Sequence, residues 1–206
     1  MTQFLQFRIE LLGSNSLIWR RIQVPDHYMF WDLHVAIQNA LGWNDSHLHE
    51  FRLTTEDGSA RCFGLPTDED HWRDAVHRPL PDWEHRVVGF LQSSGYRIDY
   101  NYDFGDNWQH AVIFEDRLPA SPGKEYPRCT AGERSGPPDD CGGIHGYESL
   151  LEILAEPTPE QYKSSHRWAS SFRGIRGQFD SEAFEEQRVK FEDPARRLRM
   201  MLDDIE

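Results

Sequence analysis

Apolar and polar positions alternate most cleanly between Tyr96 and Glu115, in the run YRIDYNYDFGDNWQHAVIFE. Period two puts Tyr96, Ile98, Tyr100, Tyr102 and Phe104 on one face of a strand and Arg97, Asp99, Asn101 and Asp103 on the other. Gly105, Asp106 and Asn107 then supply a turn that predicts a β-hairpin pairing Phe104 with Trp108, Tyr102 with His110 and Tyr100 with Val112. One face of this hairpin is therefore aromatic, with an imidazole set into it.

The same reading extends along the chain. Leu5, Phe7, Ile9 and Leu11 alternate with polar neighbours, Gly13 to Ser16 is turn material, and Leu17 to Val24 is a second strand ending at Pro25. Asp32 can cap a helix whose stripe is Leu33, Ile37 and Leu41, closed by Gly42. His47, His49, Phe51 and Leu53 share a face of a further strand. Thr54 to Leu91 shows no sustained period and predicts an excursion with one short helix or strand near Val87 to Leu91. Residues 119–146 are rich in Pro and Gly and predict a long ordered loop or lid. Tyr147, Leu150, Leu151 and Leu154 form a helical stripe, Pro157 and Pro159 break it, and short helices follow to about Leu202.

Hairpin, helix, strand, hairpin is the order of an α+β fold: a β-grasp-like mixed sheet with one packed helix, plus a C-terminal helical elaboration, with a ferredoxin-like split βαβ arrangement as the rival. The 206 residues are expected to form a single domain, with a core over 1–118, a Pro/Gly/Cys loop over 119–146 and a helical part over 147–206.

Composition changes this picture in two ways. Aromatics make up 13% of the chain, so the core is expected to be built on rings. Lys and Arg number 22 against 35 Asp and Glu, and the formal charge of -13 repels a phosphate backbone, so nucleic acid is a disfavoured partner. Trp19-Arg20-Arg21 and Arg196, Arg197 and Arg199 are the local basic candidates, and such runs also serve as solvated faces. No apolar run approaches a membrane span, the N-terminus lacks signal-peptide features, and three Cys without CxxC spacing fit a reducing compartment, so a cytoplasmic protein is expected.

The candidate chemistry centres on histidine. His47 and His49 project to one side of their strand, and His110 faces the same layer from another. Three imidazoles could hold zinc with one position open to water, whose lowered pKa makes it a nucleophile for a metal-dependent hydrolase, with Asp103 or Asp106 as base or orienting partner. Equally, the three rings could pack among Tyr and Trp, hydrogen-bonded to carbonyls or carboxylates. Cys129 and Cys141 could join two His in a closed zinc site or remain buried free thiols. Asp103, Asp106, Asp139 and Asp140 sit at turns, where Asp commonly caps backbone amides. A loop folded over the hairpin would pair these carboxylates and raise one pKa, unless Arg134 neutralised them. Asp103-Phe104-Gly105 spells a kinase metal-binding triplet, but without the accompanying nucleotide and catalytic loops it reads as a turn. Tyr100, Tyr102, Asp103, Asp106, Trp108, His110, Arg134 and Asp140 make up the candidate binding face for a protein or small-molecule ligand.

Five segments, IWRRIQVP at 18–25, DLHVAIQNALGW at 32–43, HLHEF at 47–51, YNYDFGDNWQH at 100–110 and PRCTAGERSGPPDDCGGIHGY at 127–147, together resemble the plasmid pRiA4b ORF-3-like family in order and spacing. The resemblance implies an α+β fold with a β-grasp-like sheet, and that some relatives travel as passengers on plasmids and insertion elements. It implies no activity and no catalytic residue. A mobile-element accessory that touches DNA follows from that association alone and is opposed by the net charge. At Asp139 the family commonly carries Glu, so the carboxylate here is one methylene shorter.

Overall fold

A computed structural model of the protein describes residues 3–67, 77–155, 160, 163–164, 167 and 179–203. The first hairpin forms as the alternation predicts: β1 (Gln3–Leu11) and β2 (Trp19–Pro25) pair antiparallel, with Phe7 opposite Ile22. Leu5, Phe7, Ile9 and Leu11 are all buried. Among the described residues eight strands make one mixed sheet in the order β5 (Leu80–Pro81), β4 (Ala60–Gly64), β3 (His49–Thr54), β6 (Arg97–Tyr102), β7 (Trp108–Pro119), β1, β2 and β8 (Arg128–Glu133), in which β4 and β5 alone pair parallel. Among the described residues three helices accompany it, α1 (Phe30–Leu41), α2 (Gly143–Ala155) and α3 (Pro194–Asp203), and the fold is α+β.

Helix α1 lies across the sheet and buries all but two of its twelve residues, because α3 and the loop before α2 cover the side turned away from the strands. Asp32 does cap the helix, but from inside its first turn, where it accepts the Met29 amide at 2.9 Å. Gly42 closes it in the left-handed conformation, its amide donating to the Gln38 carbonyl. The sheet face beneath carries Phe51, Tyr100, Ile98, Val112 and Phe7, each fully buried or nearly so. Burying one such side chain is worth about 1.5–3 kcal/mol.

The central hairpin pairs β6 (Arg97–Tyr102) with β7 (Trp108–Pro119), but its register differs from the expected one by two residues. Tyr102 faces Trp108, Tyr100 faces His110 and Ile98 faces Val112. The cause is a longer turn. Asp103 and Asn107 both take positive φ, and Asp103 Oδ1 accepts the Gly105 amide at 2.9 Å, which ends the strand before Phe104 and leaves that ring 42% exposed. A slip of two keeps each side chain on its face, so the aromatic face survives.

Three other expectations change. His47 precedes β3 (His49–Thr54) rather than lying in it, because the amides of Asn44, Asp45 and Ser46 donate to the Asp139, Gln38 and Tyr102 side chains instead of joining a strand ladder. Among its described residues the excursion from Thr54 contains two strands, β4 (Ala60–Gly64) and β5 (Leu80–Pro81), and two 3₁₀ turns, at Asp82–Glu84 and at Val87–Gly89; residues 68–76 lie outside the described residues. The Pro/Gly segment holds a strand, β8 (Arg128–Glu133), paired with β2. The Pro157 and Pro159 breaks lie outside the described residues, and no described helix is long and apolar enough to cross a membrane.

Candidate functional site

Two polar clusters flank the segment that joins α1 to β3. The first is buried between α1 and the sheet. His34 and Gln38 stand one turn apart on α1, both fully buried, and reach the phenol of Tyr100 on β6. Gln38 donates to the Tyr100 oxygen at 3.0 Å, and His34 Nδ1 lies 2.9 Å from it. Burial holds the Tyr100 hydroxyl far above its ordinary pKa and pushes His34 below its own, against the pull of Asp45. Both groups are therefore neutral. The Tyr100 O–H donates to Nδ1, leaving the His34 Nε2–H to donate to Asp45 Oδ1 at 2.5 Å. Asp45 closes the ring through its own amide, which donates to Gln38 Oε1 at 3.0 Å.

His49, at the start of β3, stacks on His34 with ring centroids 3.5 Å apart and planes 5° from parallel, and its Nε2 lies 2.7 Å from Asp82. Asp82 Oδ1 is buried without a hydrogen-bond partner. His34, Asp45 and His49 each bring a donor atom within 4.8 Å of the others. Parallel stacked imidazoles aim their lone pairs side by side rather than at one point, which suits a hydrogen-bonded network better than a shared ion. Outside this pair opens a cleft of about 840 Å³, lined among others by Trp31, Leu48, His49, Arg197, Met200 and Met201. Helix α3 forms its far wall, fixed by Trp31 Nε1 donating to the Pro194 carbonyl and by Arg197 beside Asp45 at 3.5 Å.

The second cluster lies at the turn of the central hairpin, against which the residue 139–142 loop packs. His47 Nε2 is 2.7 Å from Asp140 and 3.6 Å from Asp103. Asp106 Oδ2 accepts the Gly142 amide at 3.0 Å. Asp139 is 3% exposed; it accepts the Asn44 amide at 3.2 Å, and its Oδ1 has no partner. Burial raises the Asp139 pKa, with Asp140 and Asp103 adding to the rise.

The structure distributes the residues singled out above. His47, His49 and His110 share a layer but do not converge: His47 joins the acidic turn, and His49 joins His34. His110 belongs to neither group. It is boxed in by Trp43 and Tyr100, and burial drives its pKa down to about 3, against the raising effect of the nearby backbone of Trp108 and Tyr100. Those backbone groups lie close to the ring, but neither nitrogen completes a hydrogen bond of good geometry with them. Cys129 and Cys141 meet no metal-binding group among the described residues. Burial raises both thiols, Cys141 to about 12, which makes them poor nucleophiles. Tyr102 and Trp108 are wholly buried beneath Trp43 and serve the core, although the Tyr102 hydroxyl accepts the Ser46 amide at 3.1 Å. Arg134 pairs with Glu133 and Glu182 and donates to the Leu17 carbonyl, so it does not neutralise the turn carboxylates. Arg20 and Arg21 are no basic patch either. Arg20 is buried on the Ala40, Trp19 and Glu133 carbonyls, and Arg21 pairs with Glu115.

His34, Asp45 and Asp82 escaped sequence reasoning. The one available signal was the pair His34 and Gln38, two polar residues one turn apart on an otherwise apolar helix, the pattern of a buried hydrogen-bonded pair.

These features define an α+β protein with a helix-covered face of rings and imidazoles, a cleft at one end of the helix and an acidic turn beside it. The chain belongs to the plasmid pRiA4b ORF-3-like protein family, whose match spans residues 3–188. It is similar to the "Uncharacterized protein y4hQ" of Sinorhizobium fredii, being 33% identical over 167 residues that cover 81% of this chain and 80% of that one. Among solved structures it resembles the protein of unknown function MM3350 from Methanosarcina mazei Go1, with 35% identity, a TM-score of 0.79, and coverage of 93% of this chain and 99% of that one.

Proposed function

We propose that the chain is a binding module whose ligand occupies the cleft between the Trp43–His49 segment and α3. The observation that carries this reading is the cleft itself. Its volume of about 840 Å³ falls within the range of small-molecule sites, and its wall joins apolar Trp31, Leu48, Leu65 and Met200 to the polar edge of the His34 and His49 network. Such a wall suits a small amphiphilic molecule, or the side chains of a protein partner, with an apolar body against Trp31 and the methionines and a polar end towards Asp45, His49 and Arg197. Met side chains adapt their shape to what they meet, so the α3 wall favours breadth of ligand over tight selection.

The test is a fragment screen by two-dimensional NMR on the isotope-labelled full chain, with the Trp31 indole as reporter. Hits are expected to shift the Trp31 indole N–H together with α3 amides, and Met200→Lys is expected to abolish those shifts. Hits that leave Trp31 and α3 unmoved, or that survive the substitution, would refute the reading.

A metal-dependent hydrolase is the second reading. One observation favours it: His47, Asp103 and Asp140 gather at a half-open surface beside this cleft.

A further inference from the structure

We infer that His47, Asp103 and Asp140, backed by Asp139, form a binding site for a borderline divalent transition-metal ion such as Zn²⁺. Donor atoms of the first three lie within 4.8 Å of one another. Donors about 2.1 Å from a tetrahedral ion sit roughly 3.4 Å from one another. The closure needed is small, and His47 and Asp140, with side chains 32% and 58% exposed, are free to make it.

Two independent features point to a cation rather than to a chance gathering of acids. The first is the buried carboxylate behind the cluster. Asp139 is almost wholly removed from solvent, one of its oxygens has no partner, and the charged groups acting on it are Asp140, His47 and Asp103. A buried polar atom without a partner is costly, and a cation in front of it removes that cost. The second is the charge balance. Asp103, Asp139 and Asp140 crowd a single imidazole, and among the described residues no Lys or Arg pairs with any of them. Arg134, the nearest candidate in sequence, is engaged with Glu133 and Glu182.

The donor set selects the ion. An imidazole nitrogen disfavours Mg²⁺ and Ca²⁺, which take oxygen ligands, and the absence of a thiolate disfavours Cu⁺. One nitrogen with carboxylate oxygens fits Zn²⁺, Mn²⁺ or Fe²⁺, with water completing the coordination.

Isothermal titration of the chelator-stripped full chain with ZnCl₂ at pH 7 tests the site. One equivalent is expected to bind, with a dissociation constant on the order of 10 µM or tighter. Asp103→Asn and Asp140→Asn are each expected to weaken binding by roughly tenfold or more. Both positions have positive φ, which Asn accepts, and the Asp103→Asn side chain keeps an oxygen to hold the turn, so thermal melting should be unchanged. His47→Ala should lose binding, while Cys129→Ser should retain it. Absence of binding below about 1 mM, undiminished binding in both Asn variants, or equal affinity for Mg²⁺ would each overturn the assignment. Neither Asp103 nor Asp140 lines the cleft, so failure here leaves the binding-module reading to its own test.

Discussion

His110 makes the acid stability of the fold calculable. The ring is fully buried, completes no hydrogen bond of good geometry through either nitrogen, and has its pKa pushed from 6.5 to about 3, chiefly by burial. In the unfolded chain it takes up a proton as the pH falls through 6.5, whereas the folded state refuses that proton until about 3. Its contribution is therefore fully present above pH 6.5 and lost as the pH falls towards 3. Each unit of that window is worth about 1.4 kcal/mol, which gives a loss of about 2 kcal/mol at pH 5 and about 3 kcal/mol at pH 4. His110→Leu removes the titrating group and both unpartnered nitrogens at similar bulk. At pH 7 the variant should lie within ~1 kcal/mol of the wild type, the small void offsetting the relief of buried polarity. Urea denaturation at pH 7, 6 and 5 measures the difference. His34 titrates in the same direction in both proteins and cancels from it. Wild type should lose about 2 kcal/mol more than His110→Leu between pH 7 and 5, and parallel pH profiles would refute the account.

Three further outcomes follow from the packing. Tyr100→Phe strips the partner from both His34 Nδ1 and the Gln38 amide in a dry interior and should cost about 2–4 kcal/mol by urea denaturation at pH 7. Gly136→Ala would place a methyl group against the Leu41 carbonyl oxygen, a backbone atom that cannot rotate away; about 1–3 kcal/mol of destabilisation is expected from a thermal melt. Cys129 and Cys141, with thiols raised by burial, should resist a disulfide reagent at pH 8 in the native protein and react on addition of denaturant, as a timed absorbance assay with single-Cys variants would show.

What the chain revealed before its structure follows from how local each signal is. Alternation in β1, β6 and β7 concerns neighbours two apart, so faces came out correctly even where the turn at Asp103 shifted the pairing by two. The turn itself depended on the backbone of Asp103 and Asn107, whose positive φ no hydropathy pattern encodes. Strand β8 was hidden because Arg128 to Gly132 is half-buried and Glu133 exposed, without an apolar face to alternate. The buried network draws on a helix, a loop, a strand and the patternless stretch around Asp82, and only tertiary packing brings them together. The family segments marked where these elements lie but not that His49 would turn to His34 rather than to His47.

The Asp103 carboxylate points two ways. Through Oδ1 it holds the Gly105 amide, and through Oδ2 it faces His47. Any event that draws electron density towards the outer oxygen weakens the inner hydrogen bond, so the Gly105 amide resonance is a built-in gauge of what happens at the hairpin tip. Its chemical shift and exchange rate would register an arriving charge without a label or an assay for turnover.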